Sequence, residues 1–203
     1  MPIATGVRTP VSVASVAGRL HLFTLEHDGH VLHKSYASGE SADEKWQSIG
    51  GRFVSPVVAA VARDRVELFA LDHDHRVMHR TLGSGDWKVV GEKIAGSLNA
   101  FTLPNAEIAI LAVGSNGQIL FSTSATPHEW KSLGSAPEGE LSAGVVDNIV
   151  VLACLKEDQS ILAAPWRSYP NVDSELQWQV LGTVTSIADS HFSLLERRKE
   201  ESD

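Results

Sequence analysis

The chain has 203 residues, 43% of them apolar and 21% charged, which suits a single folded domain with a substantial core and argues against disorder. A formal net charge of −8 with no lysine–arginine run disfavours nucleic acid or an anionic membrane surface as partner. The lone cysteine, Cys154, excludes an internal disulfide framework, and no stretch approaches the ~20 apolar residues of a spanning helix. The first six residues have no basic region leading into an apolar core, so a cytoplasmic, reduced protein is expected.

A first unit spans residues 9–51. Pro10 to Ser15 reads as a strand, Arg19 to Leu25 as a second, and His30 to Tyr36 as a third. His27-Asp28-Gly29 joins the last two, and Asp-Gly between apolar runs is a hairpin signal because both residues tolerate positive φ. Lys45 to Ile49 is a short fourth strand closed by Gly50-Gly51.

The second unit, residues 52–94, repeats that order closely. Arg65-Val66-Glu67-Leu68-Phe69 matches Arg19-Leu20-His21-Leu22-Phe23, and Val77-Met78-His79-Arg80 matches Val31-Leu32-His33-Lys34. Residues 95–137 and 138–182 hold a third and a fourth unit, with turns at Ser115-Asn116-Gly117 and Glu157-Asp158-Gln159. The closing tryptophans are Trp46, Trp87, Trp130 and Trp178, separated by 41, 43 and 48 residues. A period in the forties built from short strands predicts an all-β chain folded as a β-propeller with four full blades. The second strands are nearly continuous apolar runs, as expected of sheets covered on both faces, and the closing tryptophans are expected to pack between blades.

Residues 183–196 look like the opening strands of a partial fifth blade, completed by residues 2–7. A C-terminal helix over Phe192 to Glu201, or a partial ring completed by a second copy of the chain, stands as the alternative.

Strand, turn, strand, then Trp-x-x-Leu-Gly or Trp-x-x-Ile-Gly-Gly resembles the fucose-specific propeller lectins of fungi and bacteria and their tectonin-like relatives. The segments Trp46 to Gly51 leading into Ser55-Pro56-Val57-Val58, and Arg65 to Phe69 through His79-Arg80, carry the resemblance, which extends over residues 9–182. It implies a propeller with sugar-binding pockets. Many bacterial lectins of this type place a tryptophan before the His-Lys or His-Arg pair, where this chain has Leu32, Met78, Leu120 and Leu162. An arginine common on their second strand is here replaced by Leu25, Leu71, Val113 and Leu155. A full set of family-type sugar sites is therefore not expected.

Several residues remain as candidates. His21 and Glu67 take equivalent places in apolar second strands, where a lone polar group is costly unless paired; they are candidates for a general acid or base, or for hydrogen bonds between blades. Tyr36, Lys34, Arg80, His33 and His79 are candidate ligand contacts. The loop Pro165-Trp166-Arg167-Ser168-Tyr169-Pro170 breaks the repeat, so Trp166, Arg167 and Tyr169 are read either as a ligand-binding loop or, for Trp166, as a cap on the last blade. The histidines of the turns, His27, His30, His73 and His75, diverge on the rim, so no metal site and no cofactor are expected. The reading preferred is a lectin-like module for a glycan or glycoconjugate. A small-molecule cyclase of secondary metabolism with an apolar pocket for a hydrophobic ligand is the alternative, which the resemblance also implies, and a protein-interaction platform or homo-oligomer is the third.

Overall fold

The computed structural model describes residues 10–37, 39, 45–91, 93–166 and 175–184. They form sixteen strands and no helix, arranged as four antiparallel sheets of four consecutive strands each. Blade 1 holds β1 (Ser12–Val16), β2 (Arg19–Leu25), β3 (Val31–Ala37) and β4 (Gln47–Ser48). Blade 2 holds β5 (Val58–Ala62), β6 (Arg65–Leu71), β7 (Val77–Thr81) and β8 (Lys88–Gly91). Blade 3 holds β9 (Ile94–Thr102), β10 (Ile108–Gly114), β11 (Gln118–Thr123) and β12 (Lys131–Ser135). Blade 4 holds β13 (Glu140–Val146), β14 (Ile149–Leu155), β15 (Ser160–Trp166) and β16 (Gln179–Thr183). The architecture is thus the all-β propeller with about four blades that the repeat predicts. The partial fifth blade at 183–196, its closure by residues 2–7 and the rival helix fall on positions outside the described residues, apart from Thr183 and Val184.

The hairpin between the second and third strands shares one chemistry. Asp28, Asn116 and Asp158 each accept, through Oδ1, the backbone N–H two residues on, from His30, Gln118 and Ser160 respectively. In blade 2 the acceptor sits two residues earlier in the repeat: Asp72 Oδ1 takes the N–H groups of Asp74 and Arg76. Such side-chain acceptors hold the tight turn, and the residue that follows Asp28, Asp74, Asn116 or Asp158 takes the left-handed backbone. Gly29 and Gly117 have φ of +88° and +75° there, while His75 and Gln159 adopt +59° and +64°.

The sheets stack face to face. Each blade turns one side, its outgoing face, to the incoming side of the next. Phe23, Leu25 and Val31 of blade 1 pack on Val66, Leu68 and Ala70 of blade 2. Phe69, Leu71 and Val77 meet Ile108, Ile110 and Ala112, and Leu111, Ile119 and Phe121 meet Val150, Leu152 and Ala164. This explains why the second strands are apolar on both faces. The first strands line the axis and are tied sideways by side chains: Ser12 Oγ accepts from Ala59 N–H at 3.1 Å, Thr102 Oγ1 donates to the Val61 carbonyl at 2.5 Å, and Asn99 Nδ2 donates to the Leu141 carbonyl at 2.8 Å.

The closing tryptophans pack backwards onto the preceding blade. Trp87 joins the blade 1–2 core, edge-on to Phe53 with centroids 4.5 Å apart, and Trp130 joins the blade 2–3 core. Trp130 also donates Nε1–H to the Val90 carbonyl at 2.8 Å, and its indole lies so close to Gly91 that a Cβ there would sit 2.7 Å from the ring. Trp178 lies against the blade 3–4 core.

Candidate functional site

Glu67 and His79 come together on the outgoing face of blade 2. In the register of β6 and β7, Glu67 lies opposite Thr81 and Phe69 opposite His79, so Glu67 and His79 are diagonal neighbours on one face. Glu67 Oε2 lies 2.9 Å from His79 Nε2 and accepts a hydrogen bond from Thr81 Oγ1 at 2.5 Å. The His79 ring stacks on Phe69 with centroids 4.9 Å apart. Arg65 Nε approaches the other carboxylate oxygen, Oε1, to 3.8 Å. Glu67 is only 6% exposed, and burial by itself pushes its carboxyl upward. The hydrogen bonds from His79 and Thr81 and the charge of Arg65 outweigh burial and hold the group below its ordinary range. It stays a carboxylate at neutral pH.

This group stands in a cleft of about 240 Å³ between blades 2 and 3. Arg63, Arg65, Glu67, His79 and Thr81 line one side, and Ala106, Glu107, Ser124 and Ala125 the other. The cleft therefore offers a desolvated acceptor, cationic donors at an exposed mouth, and small apolar walls.

Blade 1 carries the same constellation with different chemistry. Arg19, His21, Phe23, His33 and Ser35 take the places of Arg65, Glu67, Phe69, His79 and Thr81. His21 Nδ1 and His33 Nε2 are 3.0 Å apart, and Arg19 Nη2 donates to Ser35 Oγ at 3.4 Å. The two imidazoles and Phe23 form a near-parallel stack, with interplanar angles of 10–18°. Burial, with His21 alongside, lowers the His33 pKa to about 4; burial and then Arg19 lower that of His21. The pair is neutral at pH 7, one ring donating and the other accepting. In blade 3 the positions of Glu67 and His79 hold Ala109 and Phe121, and in blade 4 Val151 and Ala163, so the central polar pair belongs to the first two blades, although blade 3 keeps Glu107 and Thr123 at the places of Arg65 and Thr81.

The remaining candidates are dispersed. Lys34 and Tyr36 lie opposite Leu22 and Leu20 on the incoming face of blade 1, away from His33. Arg80 reaches the other way from His79 and donates Nη1–H to the Ile49 carbonyl, bridging blades 1 and 2. Trp166 ends β15 and is 2% exposed, edge-on to Phe121 with centroids 4.7 Å apart. That places it in the blade 3–4 core, the packing alternative, with no ring face open to a ligand. Arg167 and Tyr169 lie outside the described residues. Glu26, Asp28 and His30 gather at one turn with ligand atoms within 4.8 Å of one another, all three at the surface, where acidic groups often meet without an ion. Sequence reasoning selected His21, Glu67, His33 and His79 singly but missed Arg19, Ser35, Arg65 and Thr81. The signal was present as a repeated Arg-x-His/Glu-x-Phe with His-x-Ser/Thr on the next strand.

No protein-family model matches this sequence, and no curated protein does. Solved structures do. The fold superposes on AofleA from Arthrobotrys oligospora with a TM-score of 0.60 at 13% identity, covering 86% of this chain and 56% of that one. It superposes on a mutant Aleuria aurantia lectin in complex with Fucα1-6GlcNAc with a TM-score of 0.59 at 16% identity, over 87% of this chain and 63% of the lectin. The chain has the propeller fold of the fucose-binding lectins. SapL1 lectin in complex with α-methyl fucoside gives a TM-score of 0.58 at 13% identity, covering 86% of this chain and 63% of that one. The four blades thus span roughly three-fifths of the length of these lectins.

Proposed function

We propose that the chain is a lectin-like binding module that takes a glycan or glycoconjugate in the cleft between blades 2 and 3. The observation that carries this reading is the charged, nearly buried Glu67 facing a solvent-open cleft beside His79, Thr81 and the arginines Arg63 and Arg65. A desolvated carboxylate accepts two neighbouring hydroxyl protons, and guanidinium groups donate to the sugar oxygens; hydrogen bonds to charged groups are the stronger kind. Ala62, Ala106 and Ala125 leave room for the C–H side of a pyranose. The fold likeness to lectins solved with fucosides supports the same ligand class.

The charged lining favours a hydroxylated ligand over the hydrocarbon that a cyclase would fold. Lys34 and Tyr36 join the proposal only as contacts outside this cleft. A glycan array that includes α-methyl fucoside and Fucα1-6GlcNAc tests the reading: binding to at least one glycan is expected, and an array without hits at millimolar sugar defeats it.

A further inference from the structure

We propose that Arg80 and Trp87 hold a small monovalent anion, of the size of chloride, in the seam between blades 1 and 2. This seam departs from the packing of the next junction, and the departure leaves two buried donors without an acceptor.

At the blade 2–3 junction the Trp130 indole lies hard against Gly91 and gives its Nε1–H to the Val90 carbonyl at 2.8 Å. The matching carbonyl at the blade 1–2 junction belongs to Ile49, which follows Trp46 by three residues as Val90 follows Trp87. Here Arg80 takes it, through Nη1–H. The third strands of blades 3 and 4 have no such cation: the positions that answer to Arg80, opposite Ile110 and Leu152, are Ser122 and Ala164. Trp87 Nε1 is left without a partner, and so is Arg80 Nε; both nitrogens are shielded from solvent.

The two groups meet the same stretch of backbone. Outside its chain neighbours, a Cβ on Gly50 would find only Arg80 Nη1 within reach, at 4.0 Å, and one on Gly51 would lie 2.8 Å from Trp87 Nε1. At the next junction an indole presses on the matching glycine, Gly91, whereas beside Gly50 only the guanidinium approaches. Gly50 and Gly51 both hold left-handed backbone, with φ of +74° and +81°, so glycine is the residue that fits there and no side chain crowds the donors.

The chemistry of the seam selects the ligand. Indole N–H and guanidinium donate hydrogen bonds and accept none. Among the described residues no carboxylate pairs with Arg80. Buried donors without acceptors and a half-buried cation without a counter-charge are both costly, and one anion answers both. A water would have to place its own two protons on acceptors, and the carbonyl at hand, that of Ile49, is already engaged by Arg80. One guanidinium in a tight seam sets the charge at one and the size at that of a single halide. The site is separate from the cleft between blades 2 and 3, because Arg80 leaves β7 on the opposite face from His79.

Melting curves of the full chain in sodium chloride, sodium bromide and sodium gluconate at matched ionic strength test this, since gluconate is too large for the seam. A ligand of the folded state raises Tm, by about 2–4 °C once it reaches about five times its dissociation constant. That rise is expected in chloride and bromide over gluconate for the wild type. Trp87→Phe keeps the packed ring but loses the N–H and should shrink the halide response. Arg80→Met removes the cation, returns the Ile49 carbonyl to the indole and should abolish it; Arg80→Gln serves if the methionine variant does not fold. Anomalous diffraction from crystals grown in bromide should place a peak within hydrogen-bonding distance of Trp87 Nε1 and the Arg80 guanidinium. Equal melting in halide and gluconate overturns the proposal, as does a halide response that survives both substitutions. Bromide crystals with no anomalous peak at the seam overturn it too.

Discussion

Glu67 and His33 stand on the matched outgoing faces of blades 2 and 1, and each ties stability to pH. Glu67→Gln keeps the shape of the side chain and its hydrogen bond from Thr81 but removes the charge. Since hydrogen bonds to charged groups contribute about 1.5–3 kcal/mol, a glycan that binds the wild type should lose about tenfold or more in affinity by calorimetric titration. Undiminished binding would separate Glu67 from the site. His33 is depressed from 6.5 to about 4 in the fold, so between those values the unfolded chain binds the proton more readily. Its contribution to stability is full above pH 6.5 and declines as pH falls towards 4. Melting temperature should therefore drop across that window in the wild type and drop less in His33→Gln. Glu67 has the opposite chemistry with the same outcome at lower pH. Its folded-state pKa lies below the ordinary 4.5, so its contribution is present above 4.5 and fades as pH falls through the lowered value.

Strands and turns were legible because each is encoded locally: the Asp-Gly and Asn-Gly hairpins, the apolar second strands and the tryptophan period all read directly. Pairings across strands were not. His21 and His33 are twelve residues apart in sequence, and only the antiparallel register sets their nitrogens 3.0 Å apart. Trp166 misled in another way, since Pro165 and the lengthened segment after it suggested a loop. In fact β15 runs on through Pro165, opposite Val151, and delivers the indole to Phe121. Trp166→Ala should thus cost about 3–5 kcal/mol, as large aromatic deletions in cores do, and lower the melting temperature without altering binding at the blade 2–3 cleft. Weakened binding with unchanged stability would return Trp166 to the ligand. Gly91 supplies a test of the tryptophan seam itself. A methyl group there meets the Trp130 indole at 2.7 Å, so Gly91→Ala should destabilise by about 1–3 kcal/mol, read by denaturant unfolding. An unchanged midpoint would show that Trp130 gives way freely.

At the scale of the molecule, one packing rule generates both the core and the places left for recognition. Apolar residues near the middle of each sheet fuse neighbouring blades, while the ends of the same sheets diverge and open clefts where His, Glu and Arg side chains stand. The central polar pair stands only in the first two of the four described blades. Blade 3 fills the equivalent positions with Ala109 and Phe121, the latter needed as a partner for Trp166. The fold is therefore the lectins' fold, and the proposed recognition chemistry rests on the Glu67–His79 pair. The most direct check is a crystal structure with the best glycan from the array. The account predicts sugar density between blades 2 and 3, with a hydroxyl within hydrogen-bonding distance of Glu67. Density lodged elsewhere, with that cleft holding only solvent, would contradict it.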